Sequence, residues 1–380
     1  MTSLIIPTVD GSLREHVLRE PVAWTKPVGP PRSRVAFAAA HVVADPLGDN
    51  GAGAPAVVDW ESTLGIRRHL WSFGLGVAEA MDTAQRGMGL DWATTKELIE
   101  RSAAEAKRLG TRIAAGAGTD HVEAETLDEV LRAYTEQLDV VQAAGAQVIV
   151  MASRQLARLG AGPADYRHVY DRLLPQADAP VVLHWLGPMF DPALSGYWGS
   201  ADLGDATAAF LDLVHAHADR IDGVKVSLLD ADHEKALRAA LPTGVRLYTG
   251  DDFHYPDLIR DGSDALLGIF AAIAPAASQA LQALDAGDEA AYDAAFAPTV
   301  PLARHVFGAP TYYYKTGIAF LAWLSGLQPG FSMVGGLQSA RGLPHLVEAF
   351  VLADQAGLLP DPDLAAHRMG VLLDVHGVTR

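Results

Sequence analysis

Eight short apolar runs recur along this chain, at residues 35–43, 76–81, 112–117, 147–152, 180–186, 221–226, 245–249 and 265–269. Their spacing constrains the fold more than any other feature. Each run is apolar nearly throughout rather than alternating, which reads as a strand covered on both faces. A polar or glycine-containing loop follows most runs, then an amphipathic helix, then a Gly or Pro before the next run. Thr94-x-x-Glu97 and Thr126-x-x-Glu129 have the form of capping boxes, and Gly110 and Gly145 mark the ends of those two helices. Strands alternating with helices through short connections imply a parallel sheet. Eight such units close into a (β/α)8 TIM barrel. A doubly wound open sheet is the alternative, and it calls for G-x-G-x-x-G after a strand. Gly116-Ala117-Gly118 lacks the third glycine and opens into Thr119-Asp120-His121, so a dinucleotide site is not expected.

Residues 1–33 form a proline-rich N-terminal extension (Pro7, Pro21, Pro27, Pro30, Pro31) that wraps over the domain or reaches a neighbouring subunit. Residues 34–290 make the barrel. After the eighth run come helical segments at 271–286, 289–307, 314–326 and 343–356. One of them completes the barrel, and residues 291–380 are a C-terminal helical appendage.

The charge is −17 over 380 residues, with the acidic residues dispersed. Such a surface disfavours nucleic acid and anionic membrane as partners. There is no cysteine, hence no disulfide, thiolate nucleophile or cysteine zinc site. The first residues, MTSLIIPTVDGSLREHV, have no basic stretch ahead of a long apolar one, and a secretory signal is not expected. Residues 265–284 are uncharged, but Pro275, Ser278, Gln279 and Gln282 interrupt them, so a strand running into a core helix is expected rather than a membrane span. These features together describe a cytoplasmic protein with a small-molecule substrate.

Lys225 lies in Ile221-Asp222-Gly223-Val224-Lys225-Val226-Ser227, one of only six lysines in the chain. A strand covered on both faces does not hold an unpaired ammonium without cost: desolvation disfavours the charge and lowers the pKa. An amine so placed is a nucleophile for a carbonyl. Alternation sets Ile221, Gly223 and Lys225 on one side, facing the barrel mouth, with Val224 and Val226 on the other. The plainer alternative is a lysine that snorkels out or pairs with Asp251 or Asp252.

Barrel sites lie at the C-terminal ends of the strands. There the fifth run offers His184, an acid/base candidate whose plainer reading, on the residue alone, is a satisfied core histidine. The second run ends in Asp82, Thr83, Ala84, Gln85 and Arg86, polar groups that either hold substrate or simply form a turn. The fourth ends in Ser153 and Arg154, the latter a fork for a carboxylate. Asp251, Asp252 and His254 follow the seventh, and with Asp120 and His121 they have the composition, though not the spacing, of a metal site.

In order and spacing these stretches resemble the dihydrodipicolinate synthase / N-acetylneuraminate lyase superfamily of class I aldolases, in a divergent branch of unknown function. Val58-Asp59-Trp60-Glu61 is similar to its segment between the first two strands, and Gly223-Val224-Lys225 to its G-[IV]-K strand. Gly250-Asp251-Asp252 resembles its G-D-D, and Pro192-Ala193-Leu194-Ser195-Gly196 its P-x-x-S/T-G. The resemblance implies that Lys225 forms a covalent imine with a 2-oxo acid, with no other cofactor, in a homodimer or homotetramer. Three places depart from the pattern. Asp82-Thr83-Ala84-Gln85-Arg86-Gly87 replaces a G-T-T-G-E-like carboxylate-binding loop. His184 stands where a tyrosine relays protons. Met151-Ala152-Ser153-Arg154 replaces a Y-Y pattern.

The expectation is a Schiff-base lyase, aldolase or dehydratase acting on a small 2-oxo acid or sugar-derived oxo compound. Lys225 and His184 are its catalytic residues, and Asp82, Thr83, Ala84, Arg86, Ser153, Arg154, Asp251 and Asp252 hold substrate. The competing expectations are a metal-dependent barrel isomerase or hydrolase and a barrel that binds a sugar without catalysis.

Overall fold

The computed structural model describes residues 2–8, 10–160 and 162–378. It contains strands β1 (Ser3–Pro7), β2 (Leu13–Val17), β3 (Ala36–Ala39), β4 (Gly76–Glu79) and β5 (Ile113–Ala117). Further along are β6 (Gln147–Val150), β7 (Val181–Leu186), β8 (Ile221–Ser227), β9 (Arg246–Thr249) and β10 (Asp264–Leu267). Strands β3 to β10 pair in parallel in chain order, and β10 returns to pair with β3, closing an eight-stranded barrel. A helix follows each of these strands along the chain, which is the (β/α)8 architecture expected from the sequence.

The period of two decides which residues fill the barrel. Phe37, Ala39, Ala78, Ala114, Ile149, Val182, Tyr248 and Leu266, from seven of the strands, pack into one buried cluster with Met81. The alternate residues face outward among helices. Trp185 shows this: its ring lies 5.2 Å from Phe210 and 6.3 Å from Trp198, centroid to centroid.

By packing, the chain forms two compact units. One comprises the residues up to Ser33, Ala40–Leu75 and the chain from Gly268 onward; the other comprises Arg34–Ala39 and Gly76–Leu267 and contains every barrel strand.

Several local readings are corrected. The proline-rich extension also contains regular structure: β1 and β2 pair as an antiparallel hairpin whose turn carries Asp10 and Gly11, the latter at φ +82°. An Asp-Gly pair between two short runs is a hairpin signal. The extension is tied to the C-terminal helices, with Asp354 accepting from the Arg19 N–H at 3.0 Å and the Trp24 indole donating to the Gly357 carbonyl at 2.9 Å. The helix expected to be capped by Thr94 starts at Trp92, where Asp91 accepts from the Thr94 N–H at 2.7 Å. Thr126 does form its capping box. The segment 289–307 is two helices, Glu289–Phe296 and Thr299–Val306, because Pro298 brings no N–H to continue the first. A further helix, Pro362–Val375, ends the described chain. The uncharged stretch is strand β10 and the helix Phe270–Ala286, and among the described residues no helix is long and apolar enough to cross a membrane.

Candidate active site

Strand β8 carries Lys225 inside the barrel, 5% exposed. Two residues earlier, a Cβ at Gly223 would meet the Tyr248 ring at 2.6 Å, so only glycine admits that ring to the lumen. The register aligns Lys225 with His184 on β7 and with Tyr248 on β9. Val182, two residues before His184, belongs to the lumen cluster, which puts the imidazole on the same face as Lys225. Gly250, after β9, closes the other side. A Cβ there would stand 3.0 Å from Lys225 Cε and 2.1 Å from Ser227 Oγ.

Burial pushes the Lys225 ammonium below the ordinary lysine range, against the opposing pull of the Asp82 and Asp252 carboxylates. Its Nζ makes no hydrogen bond among the described residues. Burial, reinforced by the Lys225 charge, holds His184 well below the ordinary imidazole value, so the ring is neutral near pH 7. One ring nitrogen, Nε2, lies 3.3 Å from Ser227 Oγ. The other, Nδ1, has no partner among the described residues. Ser227 was missed as a site residue, although the alternation that placed Lys225 inward continues to position 227.

Asp82 arrives on one turn of 3-10 helix, Asp82–Ala84, after a bend at Ala80, whose φ is +50°. A left-handed alanine is strained backbone, and here it turns the chain at the barrel rim. Thr83 and Ala84 of the same turn are buried. The charge of Asp82 acts on both Lys225 and His184.

Arg86 corrects an expectation. Its Nε and Nη2 donate to the two oxygens of Asp120 at 2.9 and 2.6 Å. Its Nη1 donates to the carbonyls of Gly116 at 2.7 Å and Ala80 at 3.3 Å, and Nη2 donates also to Gln137. A guanidinium has five N–H donors. All five are used within the protein, so Arg86 anchors the loop and has none left for a substrate carboxylate. Burial raises the Asp120 carboxyl, but the guanidinium and hydrogen bonds from Arg86 and Gln137 outweigh it and hold the group at about 2.

Ser153 also proves structural. Its Oγ accepts from the Leu156 N–H at 3.0 Å as a helix cap and lies 2.6 Å from Thr119 Oγ1, while its N–H donates to the Tyr197 hydroxyl at 3.0 Å. Asp251 accepts from the Phe253 and His254 N–H groups at 2.8 and 3.0 Å and from the His254 ring at 2.9 Å, which makes it the cap of a turn. Both side chains are engaged in local structure. Arg154 is 48% exposed, and its Nε donates to Asp191 at 2.5 Å. Asp252 is buried, with its charge acting on Lys225.

The residues of the metal alternative go to separate partners: Asp120 to Arg86, His121 to Glu136 at 3.1 Å, and His254 to Asp251. Among the described residues no three His, Asp or Glu side chains are grouped to hold a metal ion.

Solved structures share this fold. YagE, a prophage protein of the dihydrodipicolinic acid synthase family from E. coli K12 in complex with pyruvate, is 16% identical. The match covers 86% of this chain and 99% of that one, at a TM-score of 0.68. The chloride-inhibited dihydrodipicolinate synthase of Acinetobacter baumannii, also complexed with pyruvate, is 17% identical, with 86% and 100% covered and a TM-score of 0.66. The dihydrodipicolinate synthase of Oceanobacillus iheyensis is 14% identical, with 90% and 97% covered and a TM-score of 0.62. The resemblance read from the sequence thus holds for the fold. No curated protein sequence matches the chain. A family model described as "Protein of unknown function (DUF993)" matches residues 4–378, and the chain belongs to that family.

Proposed function

We propose that this protein is a Schiff-base lyase of the class I aldolase type, acting on a small carbonyl compound, either a 2-oxo acid or a sugar-derived oxo compound. The observation that carries this reading is the Lys225 amine: inside the barrel, without a hydrogen bond among the described residues, and lowered in pKa by burial. An unprotonated amine is the form that attacks a carbonyl. Two structures with the same fold are complexed with pyruvate, which supports a carbonyl compound as the ligand.

In the proposed reaction the Lys225 nitrogen bonds to the carbonyl carbon. The oxygen leaves as water, with one proton from the amine and one from solvent, directly or relayed through His184, and an iminium remains. The iminium accepts the electron pair of a bond at the neighbouring carbon, giving an enamine. In cleavage the broken bond is C–C and a proton then adds to the carbon; in condensation it is C–H and the carbon bonds to an incoming carbonyl; in dehydration it is C–H and a hydroxyl leaves from the next carbon as water. In each case water finally hydrolyses the imine to free Lys225. His184, neutral and bonded to Ser227 through one nitrogen, is suited to pass a proton through the other. Asp82 and Asp252 balance the iminium charge. A homodimer or homotetramer is proposed as its working form, as the resemblance implies.

Borohydride trapping tests this. The protein is treated with a panel of 2-oxo acids, hydroxyketones and hydroxyaldehydes, and the adduct is located by peptide mass spectrometry. An adduct on Lys225, lost in Lys225→Met, is the expected outcome. Failure of every compound to modify Lys225, or modification of a different lysine that persists in Lys225→Met, sinks the proposal.

A further inference from the structure

We infer that Ser227 is a positioning residue of the proposed reaction: its hydroxyl accepts the Nε2–H of His184 and leaves Nδ1, as a bare lone pair, to take a proton from the carbon beside the iminium. This rests on the imine reading above and deepens it.

Ser227 is 1% exposed and ends the strand that carries Lys225. It lies two residues beyond the lysine, so the period of two turns both side chains to the lumen. The neighbouring strands fix the backbone here. The Gly187 N–H, after β7, donates to the Ser227 carbonyl at 2.9 Å, and the Gly250 N–H, after β9, donates to the Val226 carbonyl at 2.7 Å. A Cβ at Gly250 would stand 2.1 Å from Ser227 Oγ and 3.0 Å from Lys225 Cε, so the hydroxyl and the end of the lysine chain lie against the same point. On its other side Ser227 Oγ lies 3.3 Å from His184 Nε2, its one hydrogen-bond partner among the described residues. The register sets His184 directly beside Lys225 on the adjacent strand.

The contact with Ser227 decides the tautomer of His184. A neutral imidazole carries one N–H and one lone pair, and the hydrogen bond made by one nitrogen sets the state of the other. With its proton on Nδ1 the ring would strand a fixed donor, because Nδ1 is buried and has no partner among the described residues. With its proton on Nε2 the ring donates to Ser227 Oγ. The unmet donor is then the serine hydroxyl, which turns about its own bond to find an acceptor. Nδ1 is left as a base inside the barrel. Once an iminium stands on Lys225, a C–H bond of the neighbouring carbon breaks. The proton goes to Nδ1, the electron pair forms the C=C bond of the enamine, and the iminium pair returns to nitrogen. Ser227 Oγ holds the resulting imidazolium through Nε2–H.

Deuterium exchange separates this step from imine formation. Pyruvate, hydroxyacetone and any other member of the panel that is trapped are incubated with the full-length protein in D2O. NMR reads exchange at the carbons beside the carbonyl, and borohydride trapping reads the adduct on Lys225. Wild type should exchange every compound that it traps, and Lys225→Met should exchange none. In Ser227→Ala the ratio of exchange to trapping should fall about ten-fold, the effect of one buried hydrogen bond to a charged ring. Ser227→Thr keeps the hydroxyl and should restore the ratio. In a His184→Ala background Ser227→Ala should not change it, since the serine acts through the ring. A wild-type ratio in Ser227→Ala overturns the inference, as does a loss that threonine does not restore or a fall of the same size without His184. Trapping of wild type on Lys225 with no exchange overturns it as well and leaves the imine reading standing. No adduct on Lys225 with any compound of the panel overturns the imine reading itself.

Discussion

Replacing Gly250 by alanine tests how closely the barrel is built around Lys225. The Gly250 N–H donates to the Val226 carbonyl at 2.7 Å, joining the end of β9 to β8. A Cβ at this position would stand 2.1 Å from Ser227 Oγ, 2.7 Å from the Val226 carbonyl oxygen and 3.0 Å from Lys225 Cε. Non-bonded heavy atoms rest at about 3.5 Å, so the methyl group requires a displacement of ~1 Å between β9 and the part of β8 that carries Lys225 and Ser227. Overpacking by one methyl costs about 1–3 kcal/mol, and the upper end applies because one obstacle is backbone and another a side chain held short against its strand. A misplacement of ~1 Å at a reacting group lowers a rate about a hundred-fold. Urea unfolding reads the first effect, and the rate of borohydride trapping on Lys225 reads the second. Adding Ser227→Ala removes the nearest obstacle but leaves the Val226 carbonyl, so the double variant should recover part of the lost stability. A Gly250→Ala protein with wild-type midpoint and wild-type trapping would refute the reasoning, as would a double variant no more stable than the single one.

Arg86→Met should cost about 1–3 kcal/mol in urea unfolding, because it leaves the buried Gly116 and Ala80 carbonyls without their donor. Wild-type stability combined with weaker substrate binding would instead mean that Arg86 faces the substrate. Glu234 is buried between Thr249 Oγ1 at 2.9 Å and Ser263 Oγ at 3.0 Å, and burial raises its carboxyl to about 8 against the opposing hydrogen bonds. A folded-state pKa above the unfolded value means that its contribution is fully present below the unfolded pKa of about 4.5 and is lost as pH rises through 8. Glu234→Gln should therefore flatten the fall in stability between those pH values in a series of urea titrations; an unchanged slope would show that Glu234 is ionised in the folded protein.

Much of the fold can be read from residue order because strand and helix periods are local properties. The eight apolar runs, the capping box at Thr126 and the glycine stops at Gly110 and Gly145 all depend on neighbours within a few positions. The readings that needed correction depended on which of two nearby groups captures an N–H. Asp91 rather than Thr94 caps its helix, and Pro298 breaks a segment whose apolar pattern runs through it. The hairpin at the N-terminus was also legible, from Asp10-Gly11, but its prolines masked the alternation of Leu4 and Ile6.

The candidate site divides along the same line. Sequence alone determined that Lys225 sits in a buried strand and that alternation aims it at the barrel interior, because a two-residue period leaves only two faces. It also supplied the cast of polar residues at the strand ends. Only the tertiary structure decided what each one does. Arg86, Ser153 and Asp251 have the chemistry of binding groups, yet their hydrogen bonds go to Asp120, Leu156 and His254, partners contributed by other loops or by the turn itself. Alternation along β8 already points to Ser227, but its approach to His184 and the closeness of Gly250 to Ser227 and Lys225 depend on register between neighbouring strands, of which composition carries no trace. A donor can be used once, and closure of the barrel determines where it is used. Which residues remain to meet a substrate at Lys225 is therefore a property of the closed barrel rather than of the residue types along the chain.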